Sequence, residues 1–274
     1  MSAQIIAITN QKGGVGKTTT TMNLGVGMAQ QGKRVLLIDA DPQASLTISM
    51  GIRNPDDLPV SLATLMHSTM KPRSAPHNPG IIRSEEGIDL LPSNIELSGI
   101  EADLFNAMCR EQILKKCLSE VSRRYDYILI DCMPSLGMMT INALVAADSV
   151  IIPCQANFLS VKGMDLLRET IYKVQRQINP NLRIDGVLLT MVDSRTNNAK
   201  DISEALRSSV GPQLRVFDTE IPHSVRAAEC ALEGVSIFSH DKNGKVAAAY
   251  KALTQEVIQL EQRQKNRSRS EGVR

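Results

Sequence analysis

Three glycines, two lysines and two threonines fall within eight residues near the start of the chain, in the run Lys12-Gly13-Gly14-Val15-Gly16-Lys17-Thr18-Thr19. Turns of this composition bind anions, because glycine lets successive backbone N–H groups point inward and a following helix adds partial positive charge at its N-terminus. The chemistry this suits is phosphate binding. Lys17 is placed to bridge the β- and γ-phosphates of a nucleoside triphosphate, the Thr18 hydroxyl to ligate Mg²⁺, and Thr19 to reach the α-phosphate. A glycine turn that merely caps a helix is the alternative, and the context argues against it. The apolar run Ile5-Ile6-Ala7-Ile8 precedes the loop, and helix-period sequence follows from Lys17. The first glycine of the general Gly-x-x-x-x-Gly-Lys-Thr pattern is replaced by Gln11, and an additional lysine, Lys12, opens the loop. Taken alone, Lys12 reads as a solvated loop lysine.

Three acids stand where such a loop needs them. Asp39 and Asp41 follow the apolar run 35–38, and Asp131 follows 127–130. The carboxyl ends of parallel strands are where ligands of open α/β sheets bind. An apolar strand closing in one acid is the Walker B arrangement, in which Asp131 holds a water on Mg²⁺. For Asp41, capping of a following helix is the alternative. Cys132 has no paired thiol or base near it in sequence and reads as packing.

The elements that must position these residues are legible as alternating patterns. Short β-rich apolar runs at 5–8, 35–38, 127–130, 150–152 and 187–189 lack strict alternation, as strands covered by helices on both faces do. Helix-period stretches lie between them, at 17–31, 109–124, 161–177, 199–208 and 245–262. Strand alternating with helix predicts an α/β fold, a doubly wound, mostly parallel sheet flanked by helices. Residues 54–83 carry five prolines with little periodicity and read as an irregular surface excursion with room for one short helix. Residues 1–262 are expected to form one domain, and residues 263–274, polar, basic and non-periodic, a flexible tail.

Composition narrows the class. A 274-residue chain with 42% hydrophobic and 22% charged residues is ordinary globular usage, long enough to bury a core. Five scattered cysteines include no Cys-x-x-Cys pair, so neither a disulfide framework nor a zinc or iron–sulfur site is signalled, and a cytoplasmic setting fits. No stretch reaches the roughly 18 apolar residues of a membrane span. A net charge of +2 identifies no nucleic-acid binder, and 3% aromatic residues argue against base-stacking platforms.

With Lys12 ahead of the phosphate loop, the sequence resembles the deviant Walker A ATPases, P-loop NTPases that include partition proteins of the ParA and Soj kind. The resemblance continues through residues 155–163, 189–197 and 221–226 and spans residues 4 to about 260. It implies that ATP and Mg²⁺ are the cofactors and that Lys12 reaches the partner's phosphates across an ATP-sandwiched homodimer. It makes Asp41 the residue that positions the attacking water, with Asp39 nearer the metal, and it implies adenine contacts from Pro222 and Ser224. Ser224 stands where the family often has asparagine. Arg195 and Arg226 match arginines that bind double-stranded DNA nonspecifically, and Lys200, Arg207, Arg215, Lys242 and Lys245 lie near them in sequence. The implied partners are a second copy of the chain, DNA and a ParB-like centromere-binding protein that stimulates hydrolysis, with a nucleoid-associated location. A MinD-like switch is the alternative, but it needs a C-terminal amphipathic helix with bulky apolar residues, and after Leu260 this chain offers only Val273. A small-molecule kinase or ligase on the same fold is the remaining enzyme reading.

Overall fold

The computed structural model describes residues 3–71, 80–155, 159–193, 204–205, 207–208, 210–211 and 214–271, without the side chains of 159–163 and 267–271. Seven strands form one sheet: β1 (Gln4–Ile8), β2 (Val35–Ala40), β3 (Ile82–Arg83), β4 (Asp89–Leu91), β5 (Tyr127–Cys132), β6 (Ser149–Gln155) and β7 (Arg183–Thr190). Their order is β3-β4-β2-β5-β1-β6-β7, parallel throughout except for the edge pair β3 and β4.

Both faces of the sheet are covered, which is why the strand sequences are apolar at consecutive positions. Successive side chains on a strand point to opposite faces. Leu36 and Ile38 of β2 therefore enter one core, with residues of α3 (Leu62–Met70), α4 (Leu97–Phe105), α5 (Ile113–Val121), α6 (Met138–Ala146) and α7 (Leu159–Gln177). Val35 and Leu37 enter the other, with residues of α1 (Lys17–Gln30), α2 (Ser45–Ser49), α8 (Val225–Glu233), α9 (Ile237–His240) and α10 (Lys245–Glu271). Each such Leu or Ile contributes about 1.5–3 kcal/mol by leaving water. Gly27 brings α1 close to α10, where a Cβ would run into the Thr254 hydroxyl.

The chain passes from β1 through α1 to β2, which lies beyond β5, and later returns to β6 on the other side of β1. The strand order thus reverses at β1, and the crevice beyond its carboxyl end is where the topology favours a ligand.

Three expectations are corrected. Residues 263–271 are helical, continuing α10 to Glu271 where the sequence suggests a flexible tail. Gln, Arg, Lys and Glu are good helix formers, and extending an existing helix avoids the nucleation barrier. β3 is a strand at the end of the stretch 54–83, which was expected to be irregular with at most one short helix; that helix is α3, and β3 pairs with β4 beyond the stretch. The helix expected over 109–124 is broken into α5 with a 3₁₀ turn at each end, the first entered through Cys109 at φ 52. Of the helix expected over 199–208, residues 204, 205, 207 and 208 are described and are helical, and the others lie outside the described residues.

Candidate phosphate-binding site

β1 delivers the chain into the loop, and α1 begins at Lys17. Gly14 and Gly16 take left-handed backbone conformations, φ 69 and 82, that residues with a side chain rarely adopt. A Cβ on Gly13 or Gly14 would meet no protein atom within 4 Å, so the loop's outer surface is open to a ligand. Val15 is buried and fastens the loop from beneath, with its carbonyl accepting from Thr190 Oγ1 at 2.9 Å. Lys17 Nζ donates to Lys12 O at 3.1 Å, folding its ammonium back over the loop. Burial lowers its pKa, against the pull of Asp131 and Asp41.

The three acids lie together at the carboxyl ends of β2 and β5. Asp39 and Asp131 are register neighbours on β2 and β5, both fully buried. Asp131 Oδ2 accepts from Thr18 Oγ1 at 2.6 Å, and its Oδ1 from Thr21 Oγ1 at 3.3 Å. Burial, and then the Asp39 charge, push the Asp131 carboxyl up to about 8. Asp39 Oδ2 takes the Thr47 N–H at 2.8 Å and the Thr47 hydroxyl at 2.7 Å, while its Oδ1 takes the Asp41 N–H at 3.2 Å. Burial raises Asp39 to about 6. Asp39 therefore ties β2 to α2 and acts on the site through its charge. Asp41, half-buried, accepts the Gln43 N–H at 2.9 Å in a local turn. It does not cap α2, whose N-cap is Ala44.

Two clustered carboxyls held above their ordinary range mark a place where positive charge is favoured. The donor set is all hard oxygen, the kind that suits Mg²⁺.

A cleft of about 170 Å³ adjoins the loop, with Gly16 and Thr19 on its lining opposite Pro222 and Ser224, and Tyr250 from α10. Proximity of Pro222 and Ser224 to the loop, 205 residues away in sequence from Lys17 to Pro222, is a product of the fold alone. A larger cavity, about 650 Å³ between Gly51, Arg83, Glu86 and Gly234, contains none of the candidate residues.

Sequence reasoning missed the residues that brace the loop. Gln155 and Thr190 are the paired last residues of β6 and β7. Gln155 Nε2 donates to Gly14 O at 3.0 Å, and Gln155 Oε1 accepts from Lys12 Nζ at 3.5 Å. Asn10 Nδ2 donates to Pro153 O at 2.8 Å and its Oδ1 accepts the Lys12 N–H at 3.0 Å. Their position at strand carboxyl ends was the available signal.

Of the two expected DNA contacts, only Arg226 falls among the described residues. Arg195 and Lys200 lie outside the described residues. Arg226, 62% exposed on α8, is paired with Asp241 at 2.7 Å. Arg207 pairs with Glu220 and Arg215 with Glu256, so part of the expected basic face is neutralised within the chain. Cys132 is buried, and burial pushes its thiol up to about 12, consistent with packing. No helix among the described residues is long and apolar enough to cross a membrane.

A glycine loop at the switch point of a parallel sheet, with lysine and threonine on the first turn of the next helix and an aspartate on the adjacent strand, defines a P-loop NTPase. A family model described as an AAA domain matches residues 3–184. The sporulation initiation inhibitor protein Soj of Bacillus subtilis is 42% identical, covering 93% of this chain and 98% of its own length. The chromosome partitioning protein ParA of Myxococcus xanthus is 39% identical over 93% of this chain and 88% of its own. Among solved structures, a Mycobacterium smegmatis protein called cobyrinic acid a,c-diamide synthase, with bound ATP analogue and magnesium, superposes with a TM-score of 0.81 at 37% identity. It covers 93% of this chain and 94% of that one. The chain belongs to the ParA and Soj family of partition ATPases.

Proposed function

We propose that this ATPase is an association switch: ATP and Mg²⁺ bind at the loop, two copies close over the nucleotide, and the pair holds double-stranded DNA nonspecifically until hydrolysis. The observation that carries this reading is the convergence of Lys17, Thr18 and Asp131 behind a loop that also presents exposed Lys12. Thr18 and Asp131 would hold Mg²⁺, with Asp39 adding negative charge behind them, and the ion would neutralise phosphate charge. Lys17 exchanges the Lys12 carbonyl for phosphate oxygens. Pro222 and Ser224 border the base, and Lys12 leaves Gln155 to reach across to the partner's phosphates. The process served is segregation of a plasmid, chromosome or integrated element, with a ParB-like centromere-binding protein accelerating turnover at the nucleoid.

A DNA-retention assay with ATP, with ADP and without nucleotide, across a salt series, tests the whole. Four arginines per dimer, Arg195 and Arg226 from each copy, give a log–log salt slope of about −3.6 by counterion release. Arg226→Glu should halve that slope to about −1.8 or abolish retention while ATP dimerisation persists. Undiminished retention in both Arg226→Glu and Arg195→Glu would reject this DNA surface. Separately, Lys12→Ala should keep ATP binding but reduce the dimer to its nucleotide-free fraction by light scattering; an unchanged dimer would remove the trans role of Lys12. Release of free phosphate without a phosphorylated or amidated small-molecule product separates this reading from a kinase or ligase.

A further inference from the structure

At the amino ends of the central strands, opposite the phosphate loop, α10 seals a second acidic pair that the ATPase site does not use. Asp185 and Glu261 are 2% and 1% exposed. Asp185 owes its place to a bulge in β7: Val150 pairs with Ile184 and Ile151 with Gly186, leaving Asp185 as the extra residue. Glu261 comes from α10, and Gln264, one turn further on, donates to Asp185 Oδ1 at 3.5 Å.

The surrounding charges do not balance two carboxylates. Arg183, also on β7, approaches Glu261 Oε1 with Nη2 at 3.6 Å. Arg183 is shared with Asp148, whose Oδ2 is occupied by the Ile5 N–H at 2.8 Å and which Lys115 also faces. From the β5 side come Tyr127 and Asp126, neither of them a cation. Lys265 on α10 lies at the exposed rim. Two ionised carboxylates are acceptors only; the Ser149 hydroxyl and the Gln264 amide face Asp185, and among the described residues no donor is hydrogen-bonded to either Glu261 oxygen. A single added proton turns two facing acceptors into a donor and an acceptor, and leaves one negative charge beside Arg183.

We infer that Asp185 and Glu261 hold one proton in common, and that this proton latches the C-terminal half of α10 onto the base of the sheet. Glu261 is its carrier. Burial, and then the Asp185 charge, push Glu261 up to about 7. The ordinary value of 4.5 applies to the unfolded chain. The folded carboxyl is thus raised, so the stability it contributes is fully present below about 4.5 and is lost as pH rises through about 7. α10 also supplies Tyr250 to the cleft beside the phosphate loop. About 16 Å of helix joins the two points, so a loosened latch frees the far end of an element that lines the nucleotide site.

The test uses the full chain without nucleotide. Glu261→Gln keeps the shape and supplies a permanent donor, so its Tm should change less than wild type between pH 5.5 and 8, and at pH 8 it should exceed wild type by about 3–6 °C. Asp185→Asn should act in the same direction. Wild-type amide exchange over residues 255–266, corrected for chemical exchange, should quicken about tenfold or more between pH 5.5 and 8. Exchange that stays constant, or a folded Glu261→Gln variant that keeps the wild-type pH dependence of Tm, overturns the inference. If the variant does not fold, the exchange of the wild-type chain decides.

Discussion

Replacing Lys17 by alanine should abolish ATP binding while leaving the fold intact. Two charge-assisted hydrogen bonds to phosphate, each about 1.5–3 kcal/mol, sum to about 3–6 kcal/mol, or an affinity loss of about 10²–10⁴-fold. The nucleotide-free protein gives up far less. There, among the described residues, the ammonium has the Lys12 carbonyl at 3.1 Å as its one hydrogen-bond acceptor, and burial already opposes its charge. Titration with a fluorescent ATP analogue, alongside a thermal melt without nucleotide, separates the two effects. Wild-type affinity in Lys17→Ala would show that the loop does not take the triphosphate through this lysine. A collapse of the nucleotide-free Tm would show instead that Lys17 is structural.

The legibility of this site follows from how local its parts are. The loop, the first turn of α1 and the aspartates after β2 and β5 are each set by contiguous residues, so spacing alone reveals them. Gln155 and Thr190 are not so set, because they meet Gly14 and Val15 only once β6 lies beside β1 and β7 beside β6. The same distinction holds for the fold. The five central strands are apolar at consecutive positions and declare themselves. α6 is apolar too, with Met139, Ala143, Leu144, Val145 and Ala146 all buried, and over nine residues such a run has no polar face to betray its period. β3 and β4 are two and three residues long, beneath what pattern can resolve. Arg226 was found by resemblance, but its partner Asp241, supplied by the turn after α9, appears only in three dimensions.

Asp41→Ala should bind ATP and form the dimer but fail to turn over, trapping the associated state. Asp41 leaves the end of β2 with its backbone N–H held by the Asp39 carboxylate and its own Oδ1 on the Gln43 N–H, so its main chain and its carboxylate are each fixed by one hydrogen bond. Asp39 in turn is fastened to α2 through both groups of Thr47. A carboxylate fixed in this way suits the orientation of a water and acceptance of its proton, an effect worth about 10²–10⁴-fold in rate. Asp41→Asn sharpens the test, because asparagine can keep the turn to Gln43 while losing the negative charge. If charge is what matters, both variants lose single-turnover hydrolysis to a similar degree and both accumulate dimer by light scattering. If orientation of the loop is what matters, Asp41→Asn stays near wild type and only alanine fails. Hydrolysis at the wild-type rate in both variants would remove Asp41 from the reaction and return the search to Asp39 and Asp131.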